Sequence, residues 1–532
     1  MLPRPRFPVT RNQTALTVAQ IRPEACVALS VAAGVVAFFL LELASWHLAG
    51  GFEYPLDDVY IHLRMAEGIA SGTYGINPGE PSSASSSALW PLLLVPLAAV
   101  SEGRYLPFAL NLLSLIAVCA LWGWGVARAA LPSAITVIMA VAGPVALNTY
   151  GVAALGMEHM LQTALVLAMV LGLGLFIEDG RLRWWLGAAI VLSPLVRFED
   201  LALALLASAA IALRGRVAAG ILTGGLAIGG VGLFSAFLVS QGLDWLPASV
   251  RVKTVVPAGL SIPGVLYVLI FNLLKPAGLC ALALSLLMLV MPLTAPTLRR
   301  DGRWLPFVAA GLMGLAHLSF GRFGWGNRYE HYLFVAQAGT ALLALRWRGT
   351  DEARIVTTSC IAALILLPVA VVDFHKTWTD VRVSARAVAL QQGQMARFVH
   401  DDWQRPVAVN DLGYVSWRDT RYVLDLWGLG SPDALRARLA PDRTAFWAQD
   451  MTRAHGVDLA MIYRAWYDDG FGADWVLVGT LTLAGDAGLV GGKEVSFYAT
   501  SPDKVSEILA ALDRFTPTLP EGASFDYAPG MR

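Results

Sequence analysis

Two adjacent carboxylates, Asp57 and Asp58, follow the first long apolar segment of the chain. Neighbouring aspartates repel each other when both are ionised, so the pair is favoured if one side chain stays protonated, binds a cation or faces a basic group. A carboxylate held in this way can act as a general base. The alternative is structural: Asp57 caps a short helix and Asp58 lies in its first turn. Polar side chains that would complete a site follow at Tyr60, His62 and Arg64.

The composition of the chain indicates where this pair lies. Of 532 residues, 56% are hydrophobic and 15% are charged, whereas about a quarter of a typical soluble domain is charged. The chain is therefore predicted to be a polytopic α-helical membrane protein. Its formal net charge of +0 gives no reason to expect nucleic acid as a partner. The four cysteines lie in apolar segments, so they are interpreted as small core residues and not as a metal cluster or disulfide framework.

The apolar runs and the arginines predict a topology. The first run, residues 25–47, is too long for a signal-peptide core and should stay attached as a signal anchor. Arginines before it place the amino terminus in the cytoplasm. Later arginine clusters all fall on that side only if residues 88–100 dip into the outer leaflet without crossing, which puts the carboxyl terminus outside. The predicted spans, about eleven in all, are residues 25–49, 106–127, 133–149, 158–177, 184–196, 199–213, 217–240, 276–295, 304–320, 333–346 and 355–373.

Under this topology the outer ends of the spans collect ionisable residues. Arginines there oppose the positive-inside rule and indicate an acidic or phosphorylated partner. For Arg251 and Lys253 the alternative is that they reach lipid headgroups. Three spans have apolar cores of only about 13 residues, so they must be sheltered by neighbouring helices or end at a water-filled cavity. The candidate binding residues at the outer ends are Glu158, His159, Arg197, Glu199, Arg251, Lys253, Arg322, Arg328 and His331.

The last part of the chain has a different pattern. Apolar runs shorten to strand length and alternate with helical patterns, which predicts an extracytoplasmic α/β domain over residues 374–532. Asp411 and Asp425 follow predicted strands; Asp411 is interpreted as a substrate contact and Asp425 as a turn former. The predicted strands are residues 407–409, 422–424, 459–463, 475–478 and 495–498, and the predicted helices are residues 383–400, 432–439 and 502–515.

This domain also carries an aromatic set. Aromatic side chains can stack on sugar rings, although they more often form cores. The residues are Trp403, Trp417, Trp427, Trp466 and Tyr467.

Short motifs between the predicted spans form a set: residues 56–64, 72–80, 85–90, 156–159, 197–199 and 246–254, continued by 407–413 and 425–429. The set resembles the GT-C class of polyprenyl-phosphate-dependent glycosyltransferases, and in particular the branch that holds the mycobacterial terminal arabinofuranosyltransferases. The motifs are specific as a set, whereas each alone is weak.

The resemblance implies a GT-C-like transmembrane catalytic domain over residues 1–373, with a first outer loop at 50–105. The expected location is a bacterial inner membrane, with the site and the carboxyl-terminal domain facing outward. The implied reaction is inverting transfer of a sugar, such as the pentose arabinofuranose, from a polyprenyl-phosphate donor. The acceptor would be a glycan or glycolipid of the cell envelope.

Such a reaction requires a carboxylate that accepts the proton of the acceptor hydroxyl, and cationic groups that stabilise the departing lipid phosphate. Asp58 or Asp57 is expected to be the base; Asp58 is preferred, with Asp57 orienting the acceptor, a neighbouring side chain or a cation. The groups expected to face the phosphate are Lys253, Arg251, Arg328 and His159. The aspartate pair with Glu158 or Glu199 would also offer oxygen ligands to a divalent cation, but no spacing requires one.

Other functional classes are compatible with a membrane cavity. A transporter or flippase would use it without chemistry and should carry paired inverted repeats, which the chain lacks at the level of sequence. A non-catalytic scaffold would not need the aspartate pair. A ligase of the O-antigen type would take a lipid diphosphate donor and use a large central outer loop, whereas the longest outer loops here are 50–105 and 241–275.

Overall fold

The computed structural model describes residues 21–253, 261–467 and 470–532. Arg4, Arg6 and Arg11 lie outside the described residues, as does the side chain of Lys253. The described chain forms a bundle of apolar helices and, at its carboxyl-terminal end, a smaller domain built on a six-stranded sheet. The predicted combination of a helical bundle and a carboxyl-terminal α/β domain is confirmed, and the number of membrane crossings stays a prediction.

The helices of the bundle follow the apolar runs of the sequence. α1 shows how they are delimited: Pro23 lies in its first turn, and Gly50 ends it with a left-handed backbone at φ 74°. The bounds are α1 Pro23–Ala49, α2 Asp58–Ala70, α3 Trp90–Leu94, α4 Leu106–Arg128, α5 Ser133–Ala146, α6 Thr149–Ala154, α7 His159–Asp179, α8 Trp184–Val196, α9 Leu201–Leu213, α10 Val217–Ser240, α11 Ala248–Lys253, α12 Ile262–Leu273, α13 Pro276–Thr294, α14 Pro296–Arg299, α15 Leu305–Phe320, α16 His331–Arg346 and α17 Glu352–Lys376.

Seven helical segments within the described residues are long and apolar enough to cross a membrane. Three shorter apolar helices, α8, α12 and α15, accompany them. These features are compatible with a membrane-embedded protein. The seven segments are Pro23–Ala49, Ser101–Arg128, Ser133–Ala154, His159–Asp179, Val217–Ser240, Pro276–Thr294 and Gly349–Trp403.

The loop between α1 and α4 is folded against the bundle. It contains α2, a serine-rich stretch and the short helix α3. The backbone N–H groups of Ala88 and Leu89 donate to the carbonyl oxygen of Leu195, at 3.1 and 3.0 Å. α3 and the three-residue helical turn after it, Val95–Leu97, are too short to span a bilayer.

The α/β domain is joined to the bundle without a break in helical structure. α17 continues through a π-helical turn at Thr377–Val381 into α18, so the predicted boundary at 373/374 falls inside one helical rod. The further helices are α18 Arg382–Leu390, α19 Gln392–Arg397, α20 Gly413–Ser416, α21 Pro432–Leu439, α22 Trp447–Ala454 and α23 Val505–Phe515. The strands are β1 Val407–Val409, β2 Val423–Asp425, β3 Leu459–Ile462, β4 Val476–Leu483, β5 Glu494–Ala499 and β6 Ala523–Tyr527.

The sheet has the strand order β2-β1-β3-β5-β4-β6. β1 lies between β2 and β3 and is parallel to both, whereas β5 is antiparallel to β3 and β4, and β6 is antiparallel to β4. The carboxyl ends of three adjacent parallel strands therefore lie at one edge of the sheet. In open α/β sheets ligands bind outside this edge.

The first loop and the α/β domain share one core. Ile61, Met65 and Ile76 of the loop are buried in the same apolar cluster as the sheet residues. The side chain of Asn77 pairs with β2 as a further strand residue would: its Nδ2 donates to the carbonyl of Val423 at 3.0 Å, and its Oδ1 accepts from the N–H of Val423 at 2.9 Å. The loop and the domain thus form one structural unit at one end of the helical bundle.

Candidate active site

A cavity of about 380 Å³ lies where the first loop, the segment between α15 and α16, and the α/β domain meet. We call it the Asp58 cavity. Its volume is in the range of small-molecule sites. Among its lining residues are five that the sequence predicts as site residues, Asp57, Asp58, Arg322, Arg328 and Asp411.

Asp57 holds the loop to the domain. It occupies the residue before α2, yet its side chain makes no capping hydrogen bond to that helix. Its carboxylate instead accepts hydrogen bonds from backbone N–H groups of the α/β domain, from Gly413 at 2.6 Å and Tyr414 at 2.8 Å. Asp57 therefore caps the first turn of α20, and the alternative that it caps α2, the helix in which Asp58 lies, is wrong. Asp57 was expected to orient the acceptor, a neighbouring side chain or a cation. The structure shows it in contact with protein groups, namely the two backbone N–H groups and the side chain of Asp411.

Asp411 is the acid partner of Asp57. The two carboxyl groups hydrogen-bond each other. Burial, together with the charges of Asp57 and Asp58, raises the pKa of Asp411 well above its usual range. Burial also raises the pKa of Asp57, to about 6, against the opposing effect of the backbone N–H groups that it accepts. The pair therefore holds a proton on Asp411, which donates it in a hydrogen bond to Asp57.

Asp58 faces a basic group across the cavity. It forms an ion pair with Arg328, whose side chain is 1% exposed. The Nη2 group of Arg328 also donates to the hydroxyl of Tyr329 at 3.1 Å. The Nε and Nη1 groups of Arg328 are buried and have no hydrogen-bond partner among the described residues. Such groups cost free energy unless an acceptor satisfies them, so this guanidinium is suited to an anionic ligand.

A second cavity of about 380 Å³ adjoins the first. We call it the Arg197 cavity. Arg322 and Tyr329 line both cavities. The other lining residues include Arg197 and Glu199, which follow the 13-residue helix α8 and precede the 13-residue helix α9. The short helices thus end and begin at a cavity, as expected from their length.

Arg197 is the centre of a buried polar network. Its guanidinium contacts Glu199 at 2.9 Å and Glu158 at 3.0 Å. Glu158, which is fully buried, also accepts from the hydroxyl of Ser86 at 2.6 Å and lies 3.4 Å from Nε2 of His62. Glu158 therefore holds the guanidinium of Arg197 in place, and His62 contacts Glu158. Neither His62 nor Glu158 lines the two cavities.

His159 lies next to this network. Its ring is 5.8 Å from that of Tyr329, and the side chain is 1% exposed. It does not line the described cavities, although its neighbour Tyr329 lines both. His159 is thus placed to support Tyr329.

Two further predicted site residues have structural contacts elsewhere in the loop. The Tyr60 hydroxyl donates to Glu53, and its ring stacks on that of Tyr414 at 4.0 Å. The guanidinium of Arg64 donates to the carbonyl of Ile76 at 2.8 Å and to Glu67 at 3.1 Å. The structure does not bring Tyr60 or Arg64 to the lining of the described cavities, because each is used to fold the loop.

The remaining predicted residues lie apart from the aspartate pair. Arg251 forms an ion pair with Asp244 in a surface loop and does not line the described cavities. His331 is bonded to Thr163 at 2.9 Å and to the carbonyl of Leu147 at 2.7 Å, and it lines a separate apolar cavity between α5, α16 and α17. The side chain of Lys253 is outside the described residues, so its role stays a prediction.

Tyr329 and Gln392 belong to the site but are absent from the sequence-based prediction. Tyr329 lines both cavities, and its ring lies 5.0 Å from the guanidinium carbon of Arg328. The side chain of Gln392 donates to Asp411 at 3.0 Å and to the hydroxyl of Tyr463 at 2.7 Å. Tyr329 adjoins a predicted residue, a signal that would have identified it. Gln392 lies in a helix of ordinary polar pattern, and only the fold brings it to Asp411.

The described residues contain no group of three or more His, Cys, Asp or Glu side chains that would hold a metal ion. The carboxylate of Asp57 is occupied by N–H donors and by Asp411, and Asp58 is paired with Arg328. The chemistry that these groups offer is that of an acid–base pair beside an anion site.

Comparisons with known proteins bear on the α/β domain alone. Residues 381–498 match a family model described as Domain of unknown function (DUF8728). A search of curated proteins gives no match. The matched segment contains Asp411, Trp427 and Trp466, which line the Asp58 cavity.

Proposed function

We propose that this protein is a membrane glycosyltransferase that moves a sugar from a polyprenyl-phosphate donor to a glycan or glycolipid acceptor. The observation that carries the proposal is the pairing of Asp58 with a buried arginine whose Nε and Nη1 groups have no hydrogen-bond partner in the part of the chain that the structure describes. A carboxylate and a free anion site in one cavity are the two groups that such a transfer requires.

The position of the cavities supports a lipid-borne donor. The Asp58 cavity lies at the end of a bundle of apolar helices, and the adjoining Arg197 cavity is lined by Phe198 and Phe320 besides its polar residues. A prenyl chain would lie along such an apolar surface while the phosphate reaches Arg322 and Arg328. The resemblance of the loop motifs to GT-C enzymes agrees with this arrangement.

In the proposed reaction the acceptor hydroxyl attacks the anomeric carbon of the donor sugar. The hydroxyl proton passes to the Asp58 carboxylate as the new C–O bond forms, and the C–O bond to the lipid phosphate breaks with inversion. The phosphate leaves as an anion held by Arg328. Arg197 and Tyr329 position the groups around it, and Asp57 fixes the backbone next to Asp58. The proposed sugar is a pentose such as arabinofuranose, and the site would face outward from a bacterial inner membrane.

A transporter or flippase is the second candidate function. Such a protein would need the cavity but not a base, and its two halves would alternate around the site. The α/β domain closes over the Asp58 cavity and is fixed to the loop through Asp57 and Asn77, which favours a static catalytic site. A ligase that takes a lipid diphosphate donor is a further alternative within enzymes.

The test is turnover of a defined donor by the purified full-length protein in nanodiscs. Polyprenyl-phosphate arabinofuranose and polyprenyl-phosphate mannose, each radiolabelled in the sugar, are supplied with an extract of cell-envelope glycans. We expect Asp58→Asn to lower transfer by about two to four orders of magnitude while donor binding is kept, because the amide preserves shape but accepts no proton.

The matched control is Asp179→Asn, since Asp179 is also paired with an arginine, Arg183, at 2.8 Å. This variant should transfer sugar at the wild-type rate. Transfer by Asp58→Asn at a near wild-type rate would exclude Asp58 as the base. Absence of turnover with both donors in the wild-type protein, combined with passage of the labelled lipid across the bilayer when the protein is placed in sealed proteoliposomes, would favour the flippase.

A further inference from the structure

One edge of the sheet in the α/β domain faces the Asp58 cavity. The segments after β1, β2 and β3 all contribute lining residues, namely Asp411, then Trp427 and Leu429, then Trp466. These three strands are adjacent and parallel, so the cavity lies outside the carboxyl edge where α/β sheets bind ligands. The position of this edge of the sheet does not depend on the groups that the helical bundle supplies from the opposite wall of the cavity.

The chemistry of this wall differs from that of the opposite one. The bundle side carries the charged groups Asp58, Arg322 and Arg328. The domain side carries two half-buried indole rings and Asp411, which is hydrogen-bonded to Asp57 and offers a neutral carboxyl group. An anion would favour the bundle wall, whereas an uncharged ring with apolar C–H faces and hydroxyl groups would favour the domain wall.

Both indole rings are held in fixed positions. The ring of Trp427 has the guanidinium of Arg438 over its face at 4.0 Å, and its backbone N–H donates to the buried carboxylate of Asp425 at 2.8 Å. The ring of Trp466 stacks on that of Tyr463 at 5.1 Å. The two indoles meet edge to face, with centroids 5.1 Å apart. Aromatic rings fixed in this way provide a binding surface at little cost in side-chain entropy.

We propose that Trp427, Trp466 and Asp411 form a subsite for an uncharged sugar ring of the acceptor. The sugar stacks on the indole surface, and the neutral carboxyl group of Asp411 bonds one of its hydroxyls. The assignment to the acceptor rests on the proposed transferase function, because the donor phosphate occupies the opposite wall. The binding of an uncharged sugar is itself independent of any transfer.

The test is direct binding of three soluble probes, methyl α-arabinofuranoside, methyl α-mannopyranoside and methyl β-galactofuranoside. Saturation-transfer-difference NMR is recorded with the full-length protein in nanodiscs. We expect saturation transfer to the ring protons of at least one probe. Trp466→Leu and Trp427→Leu should each weaken binding about two- to tenfold, as expected for loss of one aromatic contact. Trp466→Phe, which keeps an aromatic face, should retain most of it.

Two controls make the result specific. Trp245→Leu removes an indole that is 63% exposed in a loop outside the cavity lining, and it should bind the probes as the wild type does. Asp179→Asn, at a residue outside the cavity lining, should also bind them normally. Because the probes bind without a donor, a failure of transfer is separated from a loss of sugar binding. Absence of saturation transfer to all three probes, or equal binding by the wild type and both leucine variants, would overturn the subsite. Loss of binding in Trp245→Leu would also overturn it.

Discussion

The two ends of the helical bundle both carry arginines, but they use them differently. At one end, which we call the arginine end, Arg346 pairs with Glu178, and Arg348 donates to the carbonyls of Ala129 and Ala130 at 2.6 and 2.8 Å. Arg299 likewise donates to the carbonyl of Pro292 at 2.9 Å. These side chains satisfy carbonyl groups at the ends of helices.

At the other end, which we call the cavity end, Arg328 is 1% exposed, and its Nε and Nη1 groups find no hydrogen-bond partner within residues 21–253, 261–467 and 470–532. The cavity beside Glu178 at the arginine end measures about 10 Å³, against about 380 Å³ for the Asp58 cavity. An arginine therefore indicates a ligand site when it is buried, incompletely bonded and next to open space. The number of arginines at an end carries no such information.

The two ends of the bundle are also predicted to face opposite sides of the membrane. We expect the arginine end to be cytoplasmic, and the largest effect is therefore an all-or-none labelling pattern. A variant without the four native cysteines receives Arg181→Cys, because Arg181 is exposed and the adjacent Gly180 has a left-handed backbone at φ 69° that disfavours a side chain. An impermeant maleimide should leave this cysteine unlabelled in intact cells and label it after lysis.

The paired variant is Glu521→Cys, at an exposed position of the α/β domain. It should be labelled in intact cells. Labelling of the cysteine at position 181 in intact cells would show that the predicted topology is reversed. The Asp58 cavity would then not lie on the outer face.

A second prediction compares the same substitution at one arginine from each end of the bundle. Arg328→Lys keeps the charge but loses the planar fork that can bond a phosphate through its free Nε and Nη1 groups. We expect donor binding to weaken about ten- to a hundredfold, since one charge-assisted hydrogen bond contributes about 1.5 to 3 kcal/mol. Binding is measured with the radiolabelled donor in nanodiscs.

Arg346→Lys is the matched change at the arginine end. It alters the pair with Glu178 and should leave donor binding unchanged. Equal donor affinity in Arg328→Lys and the wild type would show that the buried guanidinium is structural, as Arg346 is.

Variants of Arg251 and Lys253 test whether the cavity end has further phosphate contacts. Arg251 is paired with Asp244, so Arg251→Ala should leave donor use almost unchanged. Lys253→Ala should weaken it by about tenfold, as expected for loss of one charged contact. The measurement is the KM for the donor, with kcat as the control. An unchanged KM in Lys253→Ala would indicate that this lysine reaches lipid headgroups.

Most helices could be predicted because apolar length is a local property of the sequence. The predicted span 217–240 coincides with α10 Val217–Ser240, and 184–196 coincides with α8 Trp184–Val196. α12 was missed because Pro263 and Gly264 at its start indicate a turn. In the structure Pro263 lies in the first turn, where its missing N–H is not needed, and the N–H of Gly264 donates to the Ser261 hydroxyl at 3.3 Å.

The strands show the same distinction between local and long-range information. The predicted strand 407–409 coincides with β1 Val407–Val409. β6 was missed because its five residues contain a single large buried apolar side chain, Phe525, which packs against Gly479 of β4. An edge strand with one buried side chain has almost no alternating pattern, so only its neighbour identifies it.

The candidate site was predicted in part. Charged residues in apolar surroundings can be recognised in the sequence, and this identified Asp58, Arg322 and Arg328. The role of Asp57 was not predictable, because its partners Gly413 and Tyr414 lie more than 350 residues away in the chain. Tyr60 and Arg64 were included by proximity in sequence, and the structure shows that the loop uses them for its own folding.

The smallest expected effect concerns how the cavity end is held together. At the arginine end acids are paired with arginines, whereas Asp411 at the cavity end is paired with another acid and keeps a proton because its pKa is raised. A group whose pKa is higher in the folded than in the unfolded state contributes stability at low pH and loses it as the pH rises through the folded value. Unfolded aspartate has a pKa of about 3.9.

The expected consequence is a fall in the Tm of the wild-type protein as the pH rises from about 4, near the pKa of unfolded aspartate, through about 6, the pKa to which burial raises Asp57, and on to higher pH as Asp411 loses its proton. Each pH unit would cost up to about 1.4 kcal/mol for one proton, and about 1 kcal/mol lowers Tm by about 2 to 4 °C in domains of 150 to 250 residues. Asp411→Asn should have a flatter profile, because its amide donates to Asp57 without titrating.

Differential scanning fluorimetry across this pH range measures the profiles. Asp433→Asn is the control, since Asp433 is an exposed residue of the same domain paired with Arg436, and it should keep the wild-type slope. A wild-type slope in Asp411→Asn would mean that Asp411 is not the titrating group. The cavity end would then be held together by the backbone contacts of Asp57 alone, and in this respect it would resemble the arginine end, where fixed hydrogen bonds to carbonyls suffice.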